Sequence, residues 1–167
     1  MTQEIKRSYL EIKSLSDLKE VKKLPDDYSI NLLKPINFQL NKFFYKNIGK
    51  KHKWVDRLVW TESQWIEYVS DEKVKTYILK NKDDLVGFFE LMFYIEKKEV
   101  EIAYFGLLEE YHNKKLGSYL LSQAIKKSFI GNINRVWVHT CSLDHKNALN
   151  NYISRGMKVY KIENVYI

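Results

Sequence analysis

The residues of this chain that could do chemistry are concentrated between Glu99 and Met157. The apolar stretch Val100 to Leu108 stops at the polar turn His112-Asn113-Lys114-Lys115 and runs into Leu116-Gly117-Ser118, where a helical apolar stripe begins. The first amides of a helix lack intrahelical partners and carry partial positive charge, so such a turn can hold a phosphate group. Lys114 and Lys115 would add cations to it. An ordinary surface turn feeding a core helix has the same local look. A second constellation is His139-x-Cys141-x-x-Asp144-His145. His139 and Cys141 would share one strand face, which suits zinc ligands or a Cys–His nucleophile. Zinc would want a second ligand pair, and Cys141 also fits as a small core residue, so no metal is expected. Third, Glu90 interrupts the apolar run Val86 to Tyr94, and a carboxylate buried there is costly unless it is paired.

The elements that must position these groups can be read from apolar spacing. Short strands are expected at Tyr9–Ile12 and Tyr28–Leu33, with a brief helical turn over Ser16–Val21. Pro35 sits where a helix could start, and Ile36, Leu40, Phe43, Phe44 and Ile48 follow at helical spacing to Gly49. Lys50 to Arg57 reads as a polar loop, and Thr61 with Gln64 as a capping box that opens a helix. Strands at Val74–Leu79, Leu85–Ile95 and Val100–Leu108 come next, the last apolar on both sides from Ile102 onward. A helix from about Lys115 to Phe129 would bury Gly117, Leu120, Leu121, Ala124 and Ile125, leaving Ser118, Ser122, Gln123, Lys126 and Lys127 outside. Arg135–Thr140 is a strand. Lys146–Arg155 is a helix with Ala148, Leu149, Tyr152 and Ile153 inward, and Val159–Ile167 supplies one or two last strands. The order predicts an α+β fold: a mixed, mostly antiparallel central sheet with helices on both faces.

Length and composition bound the rest. The chain has 167 residues, 45% of them apolar, enough for one domain with its own core. One cysteine excludes an intrachain disulfide. No secretory signal and no membrane-length apolar run are visible, so the expected location is cytoplasmic, with no membrane partner. The net charge is +7, but the lysine pairs are scattered and no arginine-rich or nucleic-acid-binding stretch accompanies them, so no nucleic acid is expected.

The strand–turn–helix and the last helix resemble the GNAT superfamily of acyl-CoA N-acyltransferases. The family's cofactor turn reads Gln or Arg, two residues, Gly, one residue, Gly or Ala. Here it is His112 to Gly117: Gly117 matches, His112 replaces Gln or Arg, and Lys115 replaces the first glycine. The family's pattern of Ala, Tyr, Gly and Phe or Met at four-residue and then one-residue steps matches fully at Ala148, Tyr152, Gly156 and Met157. Stretches such as FFYKNIG, EIAYFGLLEEY and RVWVHTCSLDHKNAL are similar to a bacterial branch of the family with undefined substrate, over about Phe43 to Lys161. The resemblance implies one GNAT-like domain over 1–167, with N-terminal strands in 1–34, an acceptor-side half in 35–98 and a cofactor half in 99–167.

It further implies acetyl-CoA as co-substrate, an unidentified primary amine as acceptor, and direct transfer. The diphosphate would lie on His112, Asn113, Lys114, Lys115, Leu116, Gly117 and Ser118. The pantetheine arm would lie along Phe105, Leu107 and Leu108, with His145 where relatives place an Asn near that arm. Glu101 takes the position of the general base in the histone-acetyltransferase branch. An amine acceptor is protonated near neutral pH and must lose a proton before it attacks a thioester. Tyr152 matches the general acid, a phenol whose ordinary pKa of about 10 is close to that of a thiol leaving group. Glu90 is a reserve base, and Phe44, Tyr45, Trp54, Arg57 and Glu90 are expected in the acceptor wall, with Trp65 as a further aromatic. A homodimer is compatible with this reading. The rival expectation is a non-catalytic module on the same fold, binding acyl-CoA or a protein partner through the altered turn.

Overall fold

The computed structural model describes residues 2–22, 24–25, 27–112 and 114–166. In chain order these form β1 (Glu4–Ile12), a 3-10 turn (Leu15–Asp17), β2 (Tyr28–Leu32), α1 (Phe38–Gly49), α2 (Glu62–Ser70), β3 (Val74–Asn81), β4 (Asp84–Tyr94), β5 (Glu99–Leu107), α3 (Leu116–Ser128), β6 (Arg135–Cys141), α4 (Ala148–Ser154) and β7 (Lys158–Tyr166). One seven-stranded sheet runs in the order β2-β3-β4-β5-β6-β1-β7. Neighbours are antiparallel except β5 and β6, which are joined by the α3 crossover and are parallel. The α+β architecture expected from the sequence is therefore the observed one. No helix among the described residues is long and apolar enough to cross a membrane.

Local chemistry explains most element boundaries. The Thr61–Gln64 capping box forms reciprocally, with Gln64 N–H donating to Thr61 Oγ1 (3.2 Å) and Thr61 N–H to Gln64 Oε1 (2.8 Å). α1 starts at Phe38, not at Pro35, because Asn37 supplies the cap: its Oδ1 accepts from Gln39 N–H at 3.1 Å. Ile36 is left outside the helix and is 52% exposed. α1 can lie flat on β5 because Gly106 has no side chain; a Cβ there would meet Ile48 Cγ2 at 2.7 Å. On that face Phe44, Ile48, Ile78, Phe88 and Leu108 form one core, with Phe44 and Phe88 stacked. The other face carries the larger core, in which Leu116, Leu120, Leu121, Ala124 and Ile125 of α3 pack on Val86, Leu91, Val100, Ile102 and Val136. Helices thus cover both faces.

Two features set up the cleft. β5 and β6 pair only at Glu99↔Arg135, Val100↔Val136 and Glu101↔Trp137, and are unpaired beyond Glu101. β5 also bulges: Leu91 faces Ile102 but Glu90 faces Tyr104, so Ala103 is an extra residue that kinks the strand. Arg135 clamps the closed end, with Nε donating to Glu11 (2.9 Å) and NH1 to Glu99 (3.1 Å).

The N-terminal segment goes where no sequence pattern put it. β1 is longer than expected and lies between β6 and β7, pairing Tyr9 with His139 on one side and Ser8 with Ile162 on the other. The following segment crosses the outer face of α3, so Ser122, expected outside, is fully buried and accepts from Val21 N–H at 2.9 Å. α4 is shorter than expected. Tyr152 is its buried aromatic, whereas Leu149 (38%) and Ile153 (46%) are exposed instead of inward, because little packs over that face. The C-terminal segment forms a single strand.

Candidate active site

Where β5 and β6 separate, a cleft of about 840 Å³ opens, within the size range of small-molecule sites. Its lining joins β5, the start of α3, α4, the end of β6 and the loop between α1 and α2. Glu101 stands at the last paired rung of β5 and β6, so the cleft begins at its side chain. Tyr94 Oη donates to Glu101 Oε1 at 3.0 Å. Burial raises the Glu101 carboxyl above the usual range, while the Tyr94 bond and the nearby Arg57 charge pull it back. Facing this carboxylate, burial pushes the Tyr94 phenol up to about 12.

Farther along the cleft, Phe105 and Leu107 line the β5 side. Leu108 N–H is tied to Val86 O at 2.8 Å. Backbone groups of successive strand residues point to opposite sides, so the Leu107 amide and carbonyl face away from β4, toward the opening. The Leu107 carbonyl accepts from His112 Nε2 at 3.1 Å, which leaves its amide for a ligand. Leu108 itself packs in the α1 core and does not line the cleft.

The turn ends at α3. Lys115 precedes the helix in the left-handed region (φ 62°, ψ 13°), and no side chain caps the helix start. The amides of the first turn are therefore unspent by any cap, and Lys115, Leu116, Gly117 and Ser118 line the cleft. Gly117 O accepts from Asn151 Nδ2 (3.2 Å), fastening this turn to α4. Lys114 is exposed and outside the lining, and Asn113 lies outside the described residues. His145 stands edge-on to His112 with ring centroids 4.7 Å apart. Burial lowers the His145 pKa, and the neighbouring His112, His52 and Lys146 lower it further.

Tyr152 enters the cleft from α4 and is 6% exposed. Burial holds its pKa far above that of a free phenol, and the Asp144 charge adds to this. The proton is thus retained until a strong base appears beside it.

On the acceptor side, Trp54 and Arg57 line the cleft, as expected, but Phe44, Tyr45 and Glu90 do not. Phe44 and Tyr45 are the buried aromatics of α1, at 0% and 1% exposure, because aromatic area packs best in the core. Trp65 is likewise buried and packs edge-on to Tyr45. Glu90 is fully buried and paired: Arg57 NH1 donates to its two oxygens at 3.0 and 3.3 Å, and Asn41 Nδ2 donates at 3.0 Å. It works as the anchor of Arg57, not as a carboxylate facing the cleft. Arg57 in turn sits within 4.1 to 5.7 Å of the ring centres of Tyr45, Trp60, Trp65, Tyr68 and Tyr104. Its own N–H donates to Tyr45 Oη at 2.9 Å, so one residue fixes the whole loop that carries Trp54.

His139 and Cys141 reach the cleft wall, but no group of three or more His, Cys, Asp or Glu side chains among the described residues could hold a metal ion. Asp144 is spent locally, its Oδ2 accepting from Thr140 Oγ1 (2.5 Å) and Cys141 N–H (3.0 Å). Sequence reading missed Arg7, Tyr68, Tyr104 and Asn151, all in the lining. Tyr104 had a signal, since it lies on the same strand as Glu101 just past the bulge. Asn151 precedes Tyr152 on a helix whose inner face was misjudged. Arg7 had none, because β1 insertion leaves no local trace.

Comparison with known proteins agrees with this geometry. The sequence matches the model of the acetyltransferase (GNAT) family over residues 37–157. No curated protein matches it. Among solved structures it is similar to a GCN5-related N-acetyltransferase from Sphaerobacter thermophilus (13% identity, TM-score 0.71, 97% of this chain and 51% of that one). A GCN5-related N-acetyltransferase from Kribbella flavida is also similar (14%, 0.67, 99% and 58%). So is an aminoglycoside acetyltransferase from an uncultured soil metagenomic sample (13%, 0.61, 80% and 90%). The chain spans between half and three-fifths of the length of the first two. At these identities the structures establish the shared fold, and the sequence match covers most of the chain and all of the cleft lining except Ile5 and Arg7: this protein belongs to the acetyltransferase (GNAT) family.

Proposed function

We propose that this protein moves an acetyl group from acetyl-CoA to a primary amine by direct transfer within the cleft. The observation that carries the reading is the cleft itself: a carboxylate at its closed end, a buried phenol on its wall, and an uncapped helix start at its far end. When bound, acetyl-CoA would supply an acyl group already activated as a thioester. The amides of Leu116, Gly117 and Ser118 would hold its diphosphate, and the Leu107 amide would hold the arm. Glu101 takes the proton from the amine. Its raised pKa matches it better to that task than an exposed carboxylate, since a base works best with a pKa nearer the operating pH. Tyr152, on the cleft wall, is the proton donor to the departing sulfur. The second reading, an acyl-CoA-binding module without chemistry, is favoured by one observation: His112 already occupies the Leu107 carbonyl.

The test is acetyl transfer to a panel of amines, with variants. Glu101→Gln is expected to lower kcat/KM by about 10²–10⁴-fold and flatten its acid limb, and Tyr152→Phe to lower kcat over a similar range. Acetyl-CoA at a hundred times its Kd should raise unfolding stability by about 2.7 kcal/mol. Stabilisation without transfer to any amine would select the binding module, and no stabilisation at millimolar acetyl-CoA would reject both readings.

A further inference from the structure

We propose that the acceptor carries an anionic oxygen group, a carboxylate or a phosphate, at some distance from its amine, and that Arg7 binds it. This rests on the transferase reading of the same cleft. Arg7 lies on β1, outside the residues matched by the family model.

The sheet puts Arg7 on the same face as Glu101. Val100 and Ile102 on β5, Val136 and Val138 on β6, and Leu10 and Ile12 on β1 all face the α3 core. The alternating residues Glu101, Trp137, His139 and Arg7 therefore face the other side, where α1, α2 and the Trp54 loop stand. Glu101, His139 and Arg7 all line the cleft.

The Arg7 guanidinium is held there without a full set of partners. Its Nε is closed off from solvent and has no hydrogen-bond acceptor among the described residues. The nearest carboxylate is Glu163, 3.8 Å from NH1, too far for a hydrogen bond. Glu163 is also engaged elsewhere, one oxygen accepting from Tyr9 Oη at 2.6 Å and the other 3.4 Å from Lys161 Nζ. Burial lowers the pKa of His139 beside it and the Arg7 charge lowers it further, against the opposing pull of Asp144 and Glu163. A planar donor fork on the cleft wall, part of it exposed, suits an incoming anionic oxygen and disfavours a second cation. The cleft thus has an acceptor for a proton at one end and, at the other, a cation whose ion-pair partner Glu163 is too far to accept a hydrogen bond from it.

Register sets the spacing. Glu101 is level with Trp137, and Arg7 is level with Cys141. Four residues of strand separate those levels, about 13 Å along the strands, and two interstrand steps across β6 bring the backbone separation to about 16 Å. An α-amino acid is too short to reach both groups. An extended molecule with its amine and anion several bonds apart fits.

The experiment measures CoA release from acetyl-CoA with matched acceptors: 6-aminohexanoate against hexylamine, 6-aminohexyl phosphate against 6-aminohexanol, and 1,6-diaminohexane. The wild type is expected to favour an anionic member over its neutral match by at least tenfold in kcat/KM, and the stronger arm identifies carboxylate or phosphate. Arg7→Ala should bring the ratio toward one through KM, Arg7→Lys should retain part of it, and Arg7→Glu should shift preference to the diamine. Equal use of neutral and anionic members by the wild type overturns the proposal without needing a variant. So does an equal loss on both members in Arg7→Ala, or a parallel loss of CoA affinity, which would assign Arg7 to the cofactor. Transfer that ignores charge leaves the transferase reading standing, whereas no transfer to any amine removes both.

Discussion

Replacing Arg57 by Met while Glu90 stays should destabilise the fold by about 3–5 kcal/mol, because one partner of a buried ion pair is then left unpaired. The geometry places the pair at the severe end of that range. The two side chains are 7% and 0% exposed, and Arg57 NH1 reaches both carboxylate oxygens at 3.0 and 3.3 Å. Without the guanidinium, the hydrogen bond that Glu90 keeps among the described residues is from the Asn41 amide, at 3.0 Å. For a domain of this size, 1 kcal/mol corresponds to about 2–4 °C in Tm, so a fall of about 10 °C is expected. The reciprocal change Glu90→Leu should cost a comparable amount, since Arg57 would then be buried without its counter-charge. The double variant Arg57→Met/Glu90→Leu removes both desolvated charges and retains apolar volume beside Tyr45, Trp60 and Tyr68, so it should recover most of the loss. Urea unfolding of the four proteins forms a double-mutant cycle with an expected coupling of at least 2 kcal/mol. Activity reads the second half of the reasoning. If Glu90 anchors the loop and does not take protons from substrate, the refolded double variant keeps the acid limb set by Glu101. Additive losses in the cycle would refute the paired-charge account, and loss of that acid limb would return Glu90 to the chemistry.

Lys115→Gly should stabilise the apoprotein by about 1 kcal/mol, because a left-handed non-glycine residue costs about 1–2 kcal/mol and part of this is offset by glycine's greater unfolded freedom. Lys115→Ala keeps the strain and should not stabilise; equal stability of the two variants would contradict the backbone explanation. Glu101→Gln is expected to match or exceed the wild type in stability at pH 7. A carboxyl whose folded pKa is raised favours folding while protonated and loses that advantage as pH rises from its unfolded pKa through its folded pKa, so the ionised form carries a penalty that Gln lacks. A loss of stability at neutral pH in guanidinium titrations would show that the Tyr94 bond outweighs burial. His145, whose pKa is lowered by burial and by its cationic neighbours, should take up protons when CoA brings phosphate near it. Calorimetric binding enthalpies in buffers of different ionisation heat will detect this, and an absence of proton uptake between pH 5 and 6.5 would place the diphosphate away from His145.

The central architecture was legible because its determinants are local. Thr61 and Gln64 cap each other across three positions, and the apolar stripe of α3 repeats at helical spacing, so both helices could be read without knowing what they touch. Glu90 illustrates a different case. Its position in an apolar run marked it as unusual, but whether a buried carboxylate is a base or an anchor depends on a guanidinium thirty-three positions away in sequence, arriving from a loop that reads as polar. Lys115 is similar: a lysine can occupy a glycine's place in the turn only by accepting positive φ, and nothing in its own chemistry announces that it does.

β1 marks the deeper limit and carries the consequence. A strand's own sequence specifies which side faces the core but not which neighbours it will pair with, since pairing is decided by edges left open elsewhere. Here β5 and β6 part beyond Glu101, β6 needs a partner on its far side, and the N-terminal segment fills that place before α3 is covered by the chain that follows it. The same insertion that seals the sheet brings Arg7 beside the cleft. The residue proposed to distinguish one acceptor charge from another thus comes from a strand outside the sequence match to the family. Exchange of Arg7 should therefore change which amine is chosen while leaving the secondary-structure content intact, which the acceptor ratio and far-UV circular dichroism can establish on one preparation.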